Sequence, residues 1–342
     1  MKPLRAGIVG AGFGAIAHLP ALRLHPRFEV VAIASPSKAA AVAQREGIPH
    51  AFRSCQEMLA GCELDIVTVA SPPFAHAQDV LASLAARKHV ICEKPFATSV
   101  EEARTMRDAA DAAGTACGLS HEFRFVAQIA ALKELVANGH LGPLRNIEIT
   151  MLRTTLRATE RRERSWWFER ERGGGLAGAL LSHLIDQANW IAGRAPLRSA
   201  AISRTANPQR RDDAGAFTST VDDGSAAIVE YDGSAIARLC ADGTAAVGAY
   251  TLAVHGERRT AVASGTDLDA LALYTVDAES TDELTCKSSP YEAQASINFN
   301  VPLLMELYDE LVKRIEGEPN GLPTFDDGLA TQTVLASAGY GS

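Results

Sequence analysis

Short apolar runs alternate with amphipathic stretches over the first third of the chain. Residues 4–120 contain the β-branched runs "RAGIVG", "VVAIA", "DIVTVA" and "HVICE". Around them, apolar residues recur at three- and four-residue spacing at about 15–24, 37–46, 75–87 and 99–113, which is typical of helices that bury one face. The alternation predicts parallel βαβ units, with helices on both faces of an open, doubly wound sheet.

The pattern changes after residue 120, where strand-like runs follow one another without helices between them. The chain there predicts a helix at about 126–138, the strand "LRNIEITMLR" and a helix near 176–191. Later strands join through hairpin-type turns at Asp232-Gly233 and Gly256-Glu257, and two helices follow at about 292–316 and 326–338. We predict an α/β domain over 1–120 and an α+β domain with a mixed or antiparallel sheet over 121–342.

Length and charge narrow the classes of protein. A chain of 342 residues is long enough for two cores. No apolar run reaches the roughly 18 residues that a membrane span needs, and "MKPLR" leads into a strand rather than a secretory signal. We therefore expect a cytoplasmic protein that does not contact a membrane. A formal net charge of -8 disfavours nucleic acid as a partner.

The cysteines carry no metal signature. They are scattered without the paired spacing of zinc sites, and the chain is too long for a small disulfide-bonded secreted domain. We expect no bound metal and reduced, mostly buried thiols at these positions: Cys55, Cys62, Cys92, Cys117, Cys240 and Cys286.

A glycine-rich segment, "GIVGAGFGAIAH", lies where the first strand should end and the first helix begin. Gly10 would allow the tight turn, Gly12 would let the backbone approach a pyrophosphate, and the small Ala15 would allow close packing of helix on strand. The N–H groups and the dipole of the helix would hold the anion. The segment predicts a dinucleotide site formed by Gly10, Ala11, Gly12, Phe13, Gly14, Ala15 and Ile16.

The end of the second strand bears on which dinucleotide binds. An acidic residue there would normally accept hydrogen bonds from a ribose 2′-hydroxyl, but this chain has Ser35, and no Asp or Glu occurs between Val30 and Gln44. A 2′-phosphate would meet the Ser35 hydroxyl and the Lys38 ammonium. We therefore predict NADP(H), with NAD(H) as the alternative in which Lys38 is only a solvated surface charge.

Four segments together resemble the Gfo/Idh/MocA oxidoreductases, which include glucose-fructose oxidoreductase and inositol dehydrogenases. They are "GAGFGAIAH", "ASPPFAH", "HVICEKPFA" and "GGGLAGALLSHLID", and the resemblance covers nearly the whole chain. It implies a Rossmann domain followed by a C-terminal α+β domain with an open, mostly antiparallel sheet. It also implies a small-molecule substrate and a homo-oligomer, dimer or tetramer, that assembles through that sheet.

The Glu-Lys-Pro at the end of the predicted strand "HVICE" is the most specific element of the resemblance. Lys94 would emerge at the carboxyl edge of the parallel sheet, where ligands of such sheets bind, and Pro95 would end the strand, with a cis peptide as one option. The resemblance implies that Lys94 hydrogen-bonds the reacting oxygen and the nicotinamide ribose, while Glu93 lies by the cofactor. An ammonium there would stabilise charge developing on oxygen. The alternative is a solvated ion pair at a strand end.

Further cofactor contacts are implied after the predicted strand "DIVTVA" and in the segment "HEFRF". His76 in "ASPPFAH" could equally cap or pack its helix, and His18 on the first helix is expected to be structural. Arg124 in "HEFRF" matches an arginine near the cofactor–substrate junction of the family. The implied residues are Ala70, Ser71, Pro72, His76 and Arg124.

The second domain departs from the family pattern at one position. The family helix carries an Asp, then a His four residues later, then an Asp three further on, whereas this chain has Ala179, His183 and Asp186. Residues four apart share a helix face, so Ala179 removes a carboxylate next to His183. We predict that His183 is the general acid or base, with Asp186 as its orienting group. The alternative is a histidine packed in the structure.

Aromatic and charged residues before the glycines suggest a loop over a cleft. In "LRATERRERSWWFERERGGG", Trp166 and Trp167 would suit a sugar ring or the nicotinamide face. Most of the arginines are expected to be solvated or at oligomer contacts. Tyr291 aligns with a family position often near the cleft.

The sequence therefore predicts an NADP-dependent dehydrogenase or reductase acting on a CH–OH or C=O group of a sugar, sugar derivative or related small polar molecule. Lys94 would polarise the oxygen and His183 would exchange the hydroxyl proton. A nucleotide-retaining hydrolase or lyase is the second hypothesis, and a non-catalytic nucleotide-binding protein is the third.

Overall fold

A computed structural model describes residues 2–341, which form two compact units. The first unit comprises the described residues up to Glu122 together with Ser289–Leu329, and the second comprises Phe123–Ser288 together with the described residues from Ala330 onward. The segment Ser289–Leu329, which the sequence analysis grouped with the second domain, thus belongs to the first unit. The functional division of the chain at residue 120 stays a prediction.

A parallel sheet forms the centre of the first unit. Its strands are β1 Leu4–Val9, β2 Phe28–Ala34, β3 His50–Phe52, β4 Ile66–Val69, β5 His89–Cys92 and β6 Cys117–Leu119. Their order is β3-β2-β1-β4-β5-β6, and all neighbours are parallel. The chain reverses its winding between β1 and β4, whose carboxyl ends lie side by side at the place where such sheets bind ligands. The predicted doubly wound sheet is confirmed.

Helices connect the strands of the first unit. A π-helical turn, Gly14–His18, leads into α1 Leu19–Leu24, and the others are α2 Ala39–Glu46, α3 Cys55–Gly61, α4 Pro73–Ala85 and α5 Val100–Ala113. The core between strands and helices includes Val69, Val90 and Met106, all fully buried. Because strands of this kind are covered on both faces, they appear in sequence as continuous apolar runs.

An open sheet of eight strands forms the second unit. The strands of this unit are β7 Leu144–Leu152, β8 Pro196–Arg204, β9 Gln209–Asp212, β10 Gly215–Thr218, β11 Gly224–Tyr231, β12 Ala235–Asp242, β13 Ala249–Gly256, β14 Thr260–Gly265, β15 Ala272–Val276 and β16 Thr281–Leu284. The large sheet has the order β16-β15-β14-β13-β7-β12-β11-β8, and β9 and β10 form a separate hairpin. Only β7 and β12 pair in parallel. The mostly antiparallel sheet and both predicted hairpin turns are confirmed.

Two helices, α6 Ala127–Ala137 and α7 Ser182–Ala192, belong to this unit. Helix α7 packs against β7 and β12. Two buried tyrosines of the sheet donate hydrogen bonds to it, Tyr231 to Asn189 Oδ1 and Tyr250 to Gln187 Oε1, both at 2.8 Å. One face of the sheet is therefore covered by α7, and hydrogen bonds from the two tyrosines fix the helix on that face.

The opposite face of the sheet exposes apolar side chains. Ile228 on β11 points away from its buried neighbours Ala227 and Val229. Ile202 pairs with Ala226 and Ile236 with Glu230 across the strands, so these isoleucines share one face because opposed and alternate residues do. Their exposed fractions are 76% for Ile202, 55% for Ile228 and 39% for Ile236.

The last helices are α8 Asn300–Glu316 and α9 Phe325–Ser337. Helix α8 buries Val301, Leu304, Tyr308 and Leu311, a three- and four-residue spacing that gives one apolar face. This face packs on α1 and the π-helical turn before it. The burial of this stripe explains why Ser289–Leu329 belongs to the first unit.

The structure bears on two expectations from the sequence, the reduced state of the cysteines and the lack of contact with a membrane. All six cysteines are free thiols, three of them buried and three partly buried, and burial raises the pKa of the Cys55 thiol to about 11. Within residues 2–341, no helix combines the length and the apolar character required to cross a membrane. Cytoplasmic localisation stays a prediction.

Candidate functional site

The glycine-rich loop after β1 has an open backbone turn. Gly10 has a φ of +111°, and a Cβ there would lie 2.0 Å from the carbonyl oxygen of Ala70, so only glycine fits. A Cβ at Gly12 would meet no atom within 4 Å, and Gly12 is exposed. An anion can therefore approach the Gly12 backbone directly, as a pyrophosphate does in folds of this order.

Gly14 is the residue that allows the helix to pack closely on the strand, whereas the sequence analysis assigned this role to Ala15. A Cβ at Gly14 would lie 2.9 Å from Ile8 Cγ2 and 3.3 Å from Ala70 Cβ, while Ala15 is partly exposed. The helix starts with a π-helical turn, whose wider bonding changes which residue faces the strand. The next residue, Ile16, leaves 60% of its surface exposed.

The two residues predicted to select the cofactor lie beside this loop. Ser35 follows β2 directly, is partly buried, and donates its backbone N–H to Phe52 O at 3.0 Å. Lys38 is exposed at the start of α2. Gly10 joins the glycine loop to this strand end, because its N–H donates to Ala34 O at 2.9 Å. The choice between NAD and NADP stays a prediction.

His76 is enclosed by two loops. It is 1% exposed, its Nε2 lies 2.7 Å from Ser71 O, and its Nδ1 lies 3.1 Å from Pro95 O and 3.3 Å from Phe96 O. Burial lowers the pKa of His76, although the carbonyl contacts oppose that change. The imidazole ties the loop after β4 to the residues after Lys94. This geometry supports the packing alternative, and a direct cofactor contact by His76 stays a prediction.

The other residues after β4 are oriented by protein contacts. Ala70 donates its N–H to Val9 O at 2.7 Å, and Pro72 precedes α4. The Ser71 hydroxyl donates to Asp79 Oδ2 at 2.7 Å. Burial raises the pKa of Asp79, with the Ser71 hydrogen bond opposing. The loop is thus fixed beside Gly10, while its contacts with a cofactor stay predictions.

Glu93 and Lys94 follow β5 directly. The Lys94–Pro95 peptide bond is cis, and the Lys94 N–H donates to Glu93 Oε2 at 3.2 Å. Burial of Glu93, which is 5% exposed, opposes its ionisation, but His18 and the charge of Lys94 outweigh burial and hold the pKa of Glu93 below its ordinary value. A solvated ion pair therefore does not describe this carboxylate.

His18 connects Glu93 to α8 through a set of hydrogen bonds that we call the buried chain: Thr68, Tyr308, His18 and Glu93. His18 Nε2 lies 2.8 Å from Glu93 Oε1, and His18 Nδ1 lies 2.9 Å from Tyr308 Oη. Tyr308 Oη lies 2.8 Å from Thr68 Oγ1. The ring of Phe13, in the glycine loop, contacts His18 edge-on at 5.7 Å between centroids. His18 thus lies between the glycine loop and Glu93.

Two of the three glycines before α7 are required because other atoms approach them closely. A Cβ at Gly174 would lie 2.2 Å from Trp167 O, and a Cβ at Gly175, with φ of +110°, would lie 2.4 Å from Asp222 Oδ1. Asp222 accepts the Ala177 N–H at 2.7 Å, at the start of a π-helical turn, Ala177–Leu181, that leads into α7. The carboxylate satisfies an N–H group at the helix start.

His183 is 1% exposed on α7. Its ring stacks on Phe123, with centroids 3.9 Å apart and planes inclined by 17°. Ala179, in the preceding turn, donates its N–H to Gly175 O at 3.1 Å. The stacking fixes the plane of the imidazole, and its role as acid or base stays a prediction.

Arg124 and Asp186 form a buried bidentate ion pair. Nε donates to Oδ2 at 2.8 Å and Nη2 donates to Oδ1 at 2.5 Å, and the two residues are 4% and 1% exposed. The guanidinium also lies 5.5 Å from the ring centroid of Trp190. Both carboxylate oxygens of Asp186 therefore bind Arg124. The predicted contacts of Arg124 with cofactor and of Asp186 with His183 or substrate stay predictions.

The charged segment before the glycines packs on aromatic rings. Trp166–Phe168 forms a short 3₁₀ helix, and the rings of Trp167 and Phe168 meet edge-on at 5.1 Å between centroids. The guanidinium of Arg162 lies 4.5 Å from the centroid of Trp167, a cation–π distance. Arg162 thus covers one face of Trp167, and sugar contacts by Trp166 and Trp167 stay predictions.

Tyr291 lies in the first unit, whereas the sequence analysis grouped it with the second domain. Its hydroxyl donates to Asp309 Oδ2 at 2.9 Å. Burial, together with the hydrogen bond to Asp309, raises the pKa of Tyr291 to about 12. The hydroxyl is therefore engaged by a carboxylate, and a substrate contact stays a prediction.

Sequence reasoning missed several neighbours of the predicted site, three of them polar and one aromatic: Thr68, Asp79, Tyr308 and Phe123. His18 and Tyr308 are 290 residues apart, so no local pattern joins them. The available signals are a threonine inside the apolar run "DIVTVA" and a tyrosine within the apolar stripe of residues 300–316. Buried polar groups of this kind need partners.

The strand order of the first unit and the open glycine turn after β1 define a dinucleotide-binding Rossmann fold, joined to a second α+β unit. The chain belongs to the Gfo/Idh/MocA oxidoreductase family. Residues 4–121 match the family described as "Oxidoreductase family, NAD-binding Rossmann fold", and residues 129–262 match the "GFO/IDH/MocA C-terminal domain". The predicted family and fold class are confirmed.

Three similar proteins illustrate the relationship. An uncharacterized oxidoreductase of Synechocystis sp. is 36% identical over 58% of this chain and 54% of its own length. The levoglucosan dehydrogenase of Pseudarthrobacter phenanthrenivorans is 29% identical over 59% and 55%. The chain spans about half the length of the curated relatives that it matches. A solved levoglucosan dehydrogenase, in complex with NADH and levoglucosan, has the same fold, with a TM-score of 0.85, 23% identity, and 98% and 96% of the chains covered.

Proposed function

We propose that this chain is an NADP(H)-dependent oxidoreductase that transfers a hydride to or from a CH–OH or C=O group of a sugar, a sugar derivative or a related small polar molecule. The observation that carries the proposal is the position of Lys94. It follows β5 next to a buried, ionised Glu93, at the same sheet edge as the open backbone of Gly12. The levoglucosan dehydrogenases among the similar proteins support the substrate class.

The residues of the first unit fit a dinucleotide. The open space at Gly12 admits a pyrophosphate, and the exposed side chain of Ile16 offers apolar surface to a ligand. When bound, the nicotinamide supplies the hydride acceptor or donor. Ser35 and Lys38 favour NADP(H), because a 2′-phosphate there meets a hydroxyl and an ammonium without a repelling carboxylate. NAD(H) is the alternative, and the similar levoglucosan dehydrogenase was solved with NADH.

Two side chains of the protein stabilise the charge on the reacting oxygen and exchange the hydroxyl proton. The Lys94 ammonium donates a hydrogen bond to the reacting oxygen and stabilises the negative charge that develops as the C–H bond breaks. In the oxidation direction His183 accepts the hydroxyl proton, and in the reduction direction it returns that proton, because an imidazole exchanges protons near neutral pH. The stacking on Phe123 holds the imidazole plane in place.

Ala179 is the observation that favours the third hypothesis, a non-catalytic nucleotide-binding protein. The family carries a carboxylate at that position, and its replacement by a methyl group removes one polar contact for a polyol. A hydrolase or lyase that retains its nucleotide is the second hypothesis. The buried Glu93 beside Lys94 favours the oxidoreductase over the non-catalytic protein, and the levoglucosan dehydrogenases among the similar proteins favour it over the hydrolase or lyase.

An assay of a panel of sugars and oxo-sugars tests the proposal. The sugars are mixed with NADP⁺ or NAD⁺ and the oxo-sugars with NADPH or NADH, while the absorbance of the reduced nicotinamide is followed. Substrate-dependent formation or loss of reduced nicotinamide is expected. Conversion of a sugar without net change in reduced nicotinamide would indicate the hydrolase or lyase. Binding of nucleotide with no conversion of any sugar would indicate the non-catalytic protein.

We also propose that the chain forms a homo-oligomer through the open face of the eight-stranded sheet. The exposed isoleucines there form an apolar surface, which soluble proteins usually cover. Static light scattering of the purified protein should give a molar mass of two or more chains. A single-chain mass at micromolar concentration would contradict this proposal and leave the chemistry above unaffected.

A further inference from the structure

The buried chain runs from the sheet and α8 to the residue before Lys94. Thr68, Tyr308 and His18 are fully buried, and Glu93 is 5% exposed. Because an ionised carboxylate only accepts hydrogen bonds, we assign the Nε2 proton to His18. In the neutral imidazole His18 Nδ1 then accepts from the Tyr308 hydroxyl, which in turn accepts from Thr68. Every donor in the chain therefore points towards Glu93.

We propose that His18 is a positioning residue for the reaction: it keeps Glu93 ionised and in place, and Glu93 in turn fixes Lys94. The inference rests on the proposed function, because Lys94 is the group that it serves. Tyr308 secures His18 through its second ring nitrogen at 2.9 Å. A helix near the end of the chain thus supports the lysine that follows β5.

The environment of Glu93 explains why it needs such a partner. Its titratable neighbours are Lys94 after the same strand, His18 from the π-helical turn, Tyr308 from α8, His76 from α4 and Cys92 from β5. A carboxylate buried among apolar groups takes up a proton unless donors and positive charge hold it ionised. Loss of the His18 donor would therefore raise the pKa of Glu93, so that its carboxyl group stays protonated up to a higher pH.

A purely structural role for His18 makes a different prediction. In that case its loss would lower stability without changing the pH dependence of turnover. A matched control lies on the same pair of helices. His25, at the end of α1, is 2% exposed and its Nε2 lies 3.0 Å from Asp309 Oδ1 on α8. Its loss disturbs the packing of α1 on α8 without touching the buried chain.

Two substitutions separate the contacts of His18. In His18→Asn the short amide can still meet Tyr308 but cannot reach Glu93, whereas in His18→Gln the longer amide can donate to Glu93. Glu93 must be ionised for activity, and its ionised form is lost as the pH falls through its pKa. In the reduction direction the protonated form of His183 is the active one, so the acid limb of the kcat/KM profile reports Glu93, and this limb should move to higher pH by about one unit or more in His18→Asn. It should stay close to wild type in His18→Gln and in His25→Asn.

The inference is supported if the acid limb shifts in His18→Asn but stays close to wild type in His18→Gln and His25→Asn. The same shift in His25→Asn, or no shift in His18→Asn, would overturn it. Melting temperatures and cofactor titrations accompany each profile, so that a loss of stability is recognised separately.

A second measurement needs neither substrate nor variant. NMR titration of the Glu93 carboxyl carbon in the wild-type protein should give a pKa below the ordinary glutamate value of 4.5. A higher pKa would overturn the inference even if His18→Asn does not fold. If the titration gives the low pKa but no sugar is turned over, the ionised state of Glu93 stands and the proposed function fails.

Discussion

Replacing Gly12 by alanine separates folding from nucleotide binding. A Cβ at Gly12 would meet no protein atom within 4 Å, and its φ lies outside the left-handed region, so the folded protein accepts the methyl group. We expect the free energy of unfolding to change by less than about 1 kcal/mol, with a stabilising contribution from the reduced freedom of the unfolded chain. The methyl group would, however, occupy the space through which we propose that a pyrophosphate approaches.

The expected loss of affinity follows from this crowding. Inserting a methyl group into filled space costs about 1–3 kcal/mol, so the NADP(H) dissociation constant should rise roughly fivefold to more than a hundredfold. Fluorescence titration with NADPH measures the affinity, and thermal unfolding checks the stability. Gly321→Ala is the control, since the nearest atom to its Cβ would be 3.6 Å away in an exposed loop. An unchanged dissociation constant in Gly12→Ala would refute the placement of the pyrophosphate.

Three further predictions test the cofactor, the second unit and the assembly. Ser35→Asp should reverse the ratio of the NADPH and NADH dissociation constants, because a carboxylate there repels a 2′-phosphate; an unchanged ratio would contradict the role of Ser35. Arg124→Met should lower the free energy of unfolding in urea by about 3–5 kcal/mol, since it leaves a buried carboxylate without this partner. Arg107→Met, which removes ion pairs with mostly exposed acidic partners, should lower the free energy of unfolding far less, and equal losses would argue against the buried pair. Ile228→Lys should reduce the molar mass in light scattering, and an unchanged oligomer would place the interface elsewhere.

The first sheet could be predicted from sequence because its strands are buried on both faces. Such strands appear as continuous apolar runs, and the glycine at position 10 is required by a local backbone turn with φ of +111°. The short edge strand β3, His50–Phe52, has two exposed residues and therefore no apolar run to reveal it. Features that depend only on neighbouring residues, such as a buried strand or a glycine turn, could therefore be predicted from the sequence.

Contacts between distant segments could not be predicted in the same way. Nothing in the residues near His18 indicates Tyr308, and the bidentate pair of Arg124 and Asp186 joins positions 62 residues apart. Tertiary packing decides such pairs. The π-helical turn at Gly14–His18 likewise moved the packing position from Ala15 to Gly14, because an α-helical spacing does not hold there.

The position of Lys94 is the central claim, and a single-turnover measurement of hydride transfer in Lys94→Ala tests it most directly. Lys88→Ala, at the opposite end of β5, is the matched control and should behave as wild type. We predict that Lys94→Ala binds NADP(H) within a few-fold of wild type while hydride transfer slows by about 10²–10³-fold or more, as expected for the loss of a group that stabilises charge on oxygen. Hydride transfer at the wild-type rate in Lys94→Ala would contradict the account.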